Sequence, residues 1–239
     1  MMHLVFIGAH PDDETFASGT IAKYIANGHK ATIVHASRGG KGHWDTPTPE
    51  LEKLRTKEMQ EAANILGADV RFLDYMDASV PYGDELREAF VDVYRELKPD
   101  IVLTFHPLVW RDDHRRVGQA ASDASLKASL PLHVTDFPAH RPEPEIFFFG
   151  SPMTKQEPDV YIDVTDYMDH KLESFRKHKS QWQDWGKPQD EQGDYLDKVI
   201  KNYIHRFREY GRQCGVKYAE AFISKSGRRF AHKLLPVRR

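Results

Sequence analysis

The feature that most constrains the fold is a regular alternation of short apolar runs with longer amphipathic segments over the first 130 residues. Apolar runs suited to buried strands occupy residues 4–9, 31–36, 70–73 and 101–105. Apolar residues at helical spacing follow each of them, at 14–26, 49–66, 85–97 and 118–128. Such an alternation predicts parallel strands joined by right-handed helical crossovers. We therefore expect an α/β protein, a Rossmann-like three-layer αβα sandwich with a mostly parallel sheet.

The second half of the chain is less regular. Residues 130–144 are rich in proline and are predicted to be irregular, and the polar stretch 180–194 predicts a long surface loop. Strands are predicted at 145–149, 160–164 and 219–223, and helices at 167–178 and 195–212. No repeat or long linker divides the 239 residues. We expect a single domain over 1–239, with a Rossmann-like core at 1–130 and a less regular C-terminal part at 131–239.

Composition excludes several classes of protein. The formal net charge of -2 argues against a general nucleic-acid binder, and the basic segment 225–239 is interpreted as a solvated end. The single cysteine, Cys214, excludes an intramolecular disulfide framework and a multi-cysteine zinc site. A mean hydropathy of -0.64, with no long apolar run, argues against a transmembrane helix. The N-terminus reads as a strand rather than a signal peptide, so we expect a cytoplasmic protein.

The first motif that carries chemistry is residues 8–14, GAHPDDE, directly after the first predicted strand. In a parallel α/β sheet, ligands bind at loops that leave the carboxyl ends of the strands. His10 offers a nitrogen and Asp12 and Asp13 offer carboxylates, which suits a divalent cation. An acidic loop would repel the pyrophosphate of a dinucleotide. The alternative is a simple helix cap, but a cap needs only one acid, so the motif favours a metal site.

The second motif, HPLVWRDDHRR at 106–116, follows the strand at 101–105. Because this loop also leaves a strand end, the fold can bring it beside the first. Asp113 and His114 then supply a third ligand and a nearby carboxylate that can orient a ligand histidine. Taken alone, the pair fits a helix cap equally well. Joined to the first loop, it completes a site of two histidines and one carboxylate with an open position, which is typical of catalytic zinc.

With AHPDDE at 9–14 and Asp113-His114 later in the chain, the sequence resembles the PIG-L/LmbE-like de-N-acetylase family. The resemblance implies a metal-dependent hydrolase that removes an acetyl or other acyl group from the amine of an N-acetylglucosamine-type amino sugar or its conjugate. It implies His10, Asp13 and His114 as metal ligands and Asp12 as the general base. The expected metal is Zn²⁺, with Fe²⁺ or another divalent ion as the alternative.

The same resemblance implies three residues that contact the substrate. They are Arg55 on the second helix, Asp77 after the third strand and His178 in the late element HKSQ. Without the resemblance they would be interpreted as an exposed helix cation, a turn acid and a helix-end histidine.

The chain departs from the family pattern at two positions. Arg111 stands where many members carry a histidine that stabilises the oxyanion and protonates the leaving amine. An arginine can donate to an oxyanion, but it stays charged and cannot act as a titrating acid. His106 is the nearby alternative, so both are candidate catalytic residues. Gly40 stands where many members carry a glutamate.

Other functions stay open at this stage. The residues also fit a non-haem iron oxygenase, a non-catalytic or diverged zinc- or sugar-binding member, or an amidase that acts on a non-sugar amide. A nucleic-acid-associated protein would have to use the basic tail. Asp12 favours a hydrolase, because a protein that only binds needs no base beside its ligands.

The expected partners are a small-molecule amino sugar and further copies of the chain. The aromatic residues of the second half and the resemblance together predict a homo-oligomer, with no nucleic acid and no membrane span. Four tryptophans can stack on a sugar ring or serve in packing, and packing is the preferred interpretation. They are Trp44, Trp110, Trp182 and Trp185.

Overall fold

The computed structural model describes residues 1–150, 156–182 and 192–226, and for 192–197 the backbone alone. Seven strands of this part form one sheet. They are β1 (His3–Gly8), β2 (Lys30–Ser37), β3 (Asp69–Tyr75), β4 (Ile101–Phe105), β5 (Glu145–Phe149), β6 (Val160–Asp163) and β7 (Ala219–Ser224). Their order across the sheet is β3-β2-β1-β4-β5-β7-β6.

The order of the sheet creates a crevice beside β1. Strands β1 to β5 run parallel, whereas β7 pairs antiparallel with both β5 and β6. The chain passes from β1 to β2 and β3 on one side and then returns to β4 and β5 on the other. The loops after β1 and β4 therefore diverge at the carboxyl ends of neighbouring strands, the position where open α/β sheets bind ligands.

Helices cover both faces of the sheet, which confirms the expected three layers. The helices are α1 (Ser18–Ala26), α2 (Thr48–Leu66), α3 (Asp84–Leu97), α4 (Asp112–Ser129), α5 (Met168–Lys177), α6 (Lys179–Trp182) and α7 (Gln192–Cys214). Leu4 and Phe6 of β1 pack with α1, α2 and α5, whereas Val5 and Ile7 pack with α3 and α4. All four side chains are fully buried, as expected of a strand covered on both faces.

The continuous helix predicted over 14–26 is divided in the structure. A 3-10 turn, Asp13–Phe16, precedes α1, which begins only at Ser18. The carboxylate of Glu220, on β7, accepts hydrogen bonds from the backbone N–H groups of Gly19 (2.9 Å) and Thr20 (2.8 Å). Because the first N–H groups of a helix lack partners within it, this distant acid fixes where α1 starts.

The C-terminal part follows the expectation with one correction. Residues 130–144 contain no helix or strand. Both ends of the surface loop predicted at 180–194 are helical instead, because α6 extends to Trp182 and α7 starts at Gln192. Residues 183–191 and most of the basic tail, 227–239, lie outside the described residues. Among the described helices, none is both long and apolar enough to cross a membrane. The single-domain organisation stays a prediction.

Candidate functional site

The loops after β1 and β4 bring three predicted ligands together. Nε2 of His114 lies 3.3 Å from Nδ1 of His10 and 3.3 Å from Oδ1 of Asp13. Atoms held about 2.0–2.1 Å from one tetrahedral ion are separated by about 3.3–3.4 Å from each other. Two nitrogens and one carboxylate oxygen at this spacing therefore fit a single divalent cation. All three side chains line a cavity of about 420 Å³.

The far nitrogen of His10 is oriented by two carboxylates. Its Nε2 lies 3.0 Å from Oδ1 of Asp77 and 3.2 Å from Oδ2 of Asp113. These acids also accept backbone N–H groups, Asp77 from Lys41 and Asp113 from Ala78, each at 2.8 Å. With Nε2 donating to them, Nδ1 is the nitrogen that faces the other two ligands, and it offers a lone pair to a metal once it has lost its proton. Burial by itself lowers the pKa of His10, but the hydrogen bonds to Asp113 and Asp77 raise it to about 10.

Asp13 is held by the backbone of its own loop. Its Oδ2 accepts hydrogen bonds from the N–H groups of Ala9 (2.7 Å) and His10 (2.8 Å), which leaves Oδ1 facing His114. Burial opposes ionisation, but the neighbouring histidines, His114 first, hold the pKa of Asp13 below its usual value. The carboxylate is therefore ionised and aimed at the cluster.

His114 is positioned by close packing of α4 on the end of β4. Its ring stacks on Phe105, with 4.0 Å between centroids and 13° between planes. One turn later, a Cβ atom on Gly118 would lie 2.3 Å from the carbonyl oxygen of Phe105. Only glycine allows this approach, which sets the position of the first turn of α4 and of the histidine on it.

Asp12 lies beside the ligand cluster and lines the same cavity. Its φ of 113° is in the left-handed region, and its N–H donates to Oε2 of Glu14 at 3.0 Å. Its Oδ1 accepts a hydrogen bond from Nη2 of Arg55 at 2.8 Å. Burial raises the pKa of Asp12 to about 7, with the Arg55 charge acting in the opposite direction. A carboxylate in this position can exchange a proton with a molecule bound in the cavity.

Arg55 is buried and holds the Asp12 loop. Besides Asp12, it donates to the carbonyl oxygens of Pro11 and, at 3.0 Å, Gly39. A Cβ atom on Gly39 would lie 2.4 Å from the guanidinium, and one on Gly42 would lie 2.8 Å from it. The glycines of the loop after β2 therefore make room for this side chain. Arg55 also lines the cavity, and its contact with substrate stays a prediction.

Sequence reasoning missed Glu14 as a structural centre behind Asp12. It is fully buried, and its two oxygens lie 2.5 Å from Nε2 of His178 and 3.4 Å from Nε2 of His35. Burial opposes its charge, but the partner histidines, His178 above all, hold the pKa of Glu14 well below its usual range. The sequence did offer one signal for Glu14, because it directly follows Asp12 and Asp13 in the same motif.

Three other predicted site residues take different positions. Asp77 lines the cavity, with both oxygens engaged as described above. His178 is fully buried and does not line the cavity. His106 also lies outside the lining; its Nδ1 accepts the N–H of Leu108 at 3.1 Å and its Nε2 donates to Gln156 at 3.3 Å. Substrate contact by Asp77 and His178, and catalysis by His106, stay predictions.

Arg111 faces the cavity rather than its neighbouring acid. The carboxylate of Asp112 pairs with Arg115 and Arg116, each at 2.7 Å. The Arg111 guanidinium lies 5.3 Å from the centre of the Trp110 ring, and both residues line the cavity. The guanidinium is therefore available to a bound molecule.

The tryptophans divide between packing and cavity lining. Trp182 stacks on Phe175 at 4.4 Å and donates its indole N–H to the Phe175 carbonyl, so it serves in packing while it borders the cavity. Trp110 is 70% exposed at the cavity, and Trp44 is exposed outside the lining. Trp185 lies outside the described residues.

Comparisons with known proteins identify the family and agree on the fold. Residues 5–125 match the family described as PIG-L, GlcNAc-PI de-N-acetylase. A diacetylchitobiose deacetylase of Thermococcus kodakarensis is 32% identical over 90% of this chain and 79% of its own length. A probable N-acetyl-α-D-glucosaminyl L-malate deacetylase of Bacillus anthracis is 32% identical over 75% of this chain and 81% of its own. The structure of an N,N'-diacetylchitobiose deacetylase from Pyrococcus horikoshii matches with a TM-score of 0.82 at 28% identity, over 98% of this chain and 87% of that one.

Proposed function

Because the chain belongs to the PIG-L family of de-N-acetylases, we propose that it hydrolyses the amide of an N-acetylglucosamine-type amino sugar or its conjugate and releases acetate or another acyl group. The observation that carries the proposal is the convergence of His10, Asp13 and His114 in one cavity with Asp12 beside them. Ligand atoms and a separate carboxylate base are the parts that metal-assisted hydrolysis requires.

His10, Asp13 and His114 would hold the metal. Two imidazole nitrogens and one carboxylate favour Zn²⁺, and they also accommodate Fe²⁺. When bound, the metal supplies a Lewis acid that polarises the amide carbonyl and acidifies water. The carboxylates of Asp77 and Asp113 keep the His10 ring in the orientation that ligation needs.

Asp12 carries the proton in this mechanism. Its carboxylate takes a proton from the attacking water as the bond from oxygen to the acyl carbon forms. It then gives the proton to the amine nitrogen as the carbon–nitrogen bond breaks. Arg55 holds one carboxylate oxygen, and Glu14 holds the Asp12 N–H group, so the base is oriented before substrate binds.

Arg111 is the cation we assign to the reacting amide. Negative charge develops on the carbonyl oxygen in the transition state, and a guanidinium at the cavity wall can donate hydrogen bonds to it. The pairing of Asp112 with Arg115 and Arg116 supports the assignment, because it leaves Arg111 free to face the cavity.

The substrate class is supported by the relatives and by the cavity. The names of the two relatives specify acetylated glucosamine compounds. A cavity of about 420 Å³ lies within the usual range for small-molecule sites, about 300–1,000 Å³.

The test is acetate release by zinc-reconstituted protein from N-acetylglucosamine, diacetylchitobiose and N-acetylglucosaminyl malate, with N-acetylated amino acids as non-sugar amides. We expect release from at least one sugar, and release slower by about 10²-fold or more from the Asp12→Asn variant. Release from the amino acids alone would indicate an amidase of another class. No release from any compound, with full metal content, would indicate a binding protein.

Homo-oligomeric assembly and a cytoplasmic location remain parts of the proposal that come from the sequence. Light scattering should give a mass of at least twice that of the 27.6 kDa chain. A 27.6 kDa species at micromolar concentration would contradict assembly.

A further inference from the structure

Two cations in the cavity have no role in the proposed hydrolysis. Lys41 and Arg206 line it together with Arg55 and Arg111. Arg55 is paired with Asp12, and Arg111 is assigned to the amide carbonyl. Within residues 1–150, 156–182 and 192–226, neither Lys41 nor Arg206 forms an ion pair. The reaction on a neutral sugar therefore leaves both charges unused.

The acids of the cavity do not neutralise these cations. Asp12 pairs with Arg55, Asp13 accepts two backbone N–H groups and faces His114, and Asp77 accepts from His10 and the Lys41 backbone. A divalent metal would add further positive charge. Because each of these acids is already engaged, the charges of Lys41 and Arg206 are left to attract a ligand of the opposite sign.

Arg206 lies over the part of the cavity next to the loop after β1, which carries His10 and Asp13. Its guanidinium lies 5.5 Å from the centre of the Phe16 ring, and Phe16 belongs to the 3-10 turn that begins at Asp13. The next residue, Phe207, is buried, and Nζ of Lys171 on α5 lies 3.8 Å from the centre of its ring; Tyr203, one turn earlier on α7, donates its hydroxyl to the carbonyl oxygen of Thr15. These contacts fix the turn of α7 that carries Arg206, and they therefore hold Arg206 at the cavity.

Lys41 lines the cavity from a different segment of the chain. It lies in the loop after β2, and its backbone N–H donates to Asp77 at 2.8 Å. That hydrogen bond ties the loop to the acid that orients His10. Lys41 and Arg206 thus come from two separate segments, each anchored beside the ligand cluster.

We propose that the amino sugar bound here carries an anionic group, a carboxylate or a phosphate, and that Arg206 and Lys41 bind it. The proposal rests on the proposed function for the identity of the sugar. Arginine and lysine are the side chains that recognise both anions through charge-assisted hydrogen bonds. The alternative is that both are solvated surface cations, and it predicts that the charge of the sugar has no effect on its Kd.

The experiment measures binding by calorimetry to the zinc-reconstituted protein. The ligands are methyl α-N-acetylglucosaminide, which is neutral, N-acetylglucosamine α-1-phosphate, and the malate glycoside of N-acetylglucosamine. The variants are Arg206→Gln and Lys41→Gln. The matched control is Arg208→Gln, which removes the same charge from the same helix at a residue outside the cavity lining.

We expect the wild type to bind at least one anionic glycoside roughly 10-fold or more tightly than the neutral one, as charged hydrogen bonds allow. Arg206→Gln should lose most of that preference without changing the Kd for the neutral glycoside, whereas Arg208→Gln should keep it. The preference should shrink as salt rises from roughly 0.05 M to 0.5 M. Whether phosphate or carboxylate binds more tightly identifies the source of the anion, and either supports the proposal.

Equal Kd values for neutral and anionic glycosides in the wild type would overturn the proposal. So would a preference that survives in both Arg206→Gln and Lys41→Gln, because the metal centre would then be holding the anion. Acetate release is measured on the same samples. Anion-dependent binding without acetate release would overturn the proposed function and leave this inference standing.

Discussion

Nδ1 of His10 lies 3.3 Å from Nε2 of His114, although the two residues are 104 positions apart in the chain. They meet because β1 and β4 are neighbours in the sheet and the helices that follow them leave toward opposite faces. The geometry of the sheet therefore assembles the ligand pair, and the loops need only supply the right side chains at the strand ends.

Removal of one ligand should abolish stoichiometric metal binding. His10→Ala deletes the nitrogen that faces both other ligands, so the zinc content of reconstituted protein should fall from one per chain to near zero. Elemental analysis measures the zinc, and circular dichroism checks that the fold persists. His205→Ala, an exposed histidine on α7, is the control and should keep its metal. Full metal content in His10→Ala would show that the ligand assignment is wrong.

Replacement of the proposed base should separate metal binding from turnover. Asp12→Asn suits the left-handed backbone, which asparagine tolerates. We expect normal zinc content and a loss of turnover of about 10²-fold or more, the scale of general acid–base catalysis. Asp112→Asn changes an exposed acid in the second motif and should have little effect. Near-normal turnover in Asp12→Asn would remove this residue from the mechanism.

Arg111→Ala tests stabilisation of the oxyanion. Loss of one donor to the developing charge should cost about 2–4 kcal/mol in transition-state stabilisation, measured from kcat/KM on an accepted neutral substrate. Arg87→Ala, at an exposed pair with Asp84 on α3, should change it by less than about 0.5 kcal/mol. If Arg111→Ala behaves like that control, His106 becomes the remaining candidate for this role.

The buried pair beneath the site should dominate stability. Lys171 and Glu220 are both fully buried, with Nζ 2.6 Å from Oε1, and Glu220 also caps α1. Glu220→Gln leaves the buried ammonium of Lys171 without its paired carboxylate, so the free energy of unfolding should fall by about 3–5 kcal/mol in urea titrations. The exposed Glu209→Gln, which loses a surface pair with Arg212, should change it by less than about 1 kcal/mol. Equal effects of the two variants would contradict the role assigned to the buried pair.

Much of the fold was predictable because its signals are local. The strand Ile101–Phe105 and the strand Glu145–Phe149 begin and end where the sequence predicts, since a short apolar run bounded by turn residues carries its own limits. The prediction of one continuous helix over 14–26 was wrong, because a 3-10 turn precedes α1. Its true start depends on Glu220, an acid about 200 positions away that no local pattern reveals.

The sequence by itself determined which side chains stand at the strand ends, and thus that His10, Asp13 and His114 could share one ion. Only the tertiary structure decided their surroundings. It turned Asp113 toward His10 rather than toward its neighbour His114, placed His178 against Glu14 inside the protein, and brought Arg206 to the cavity. The physical reason is that these contacts join segments far apart in the chain. They depend on how the second half packs over the carboxyl ends of the strands, which no pattern within one segment specifies.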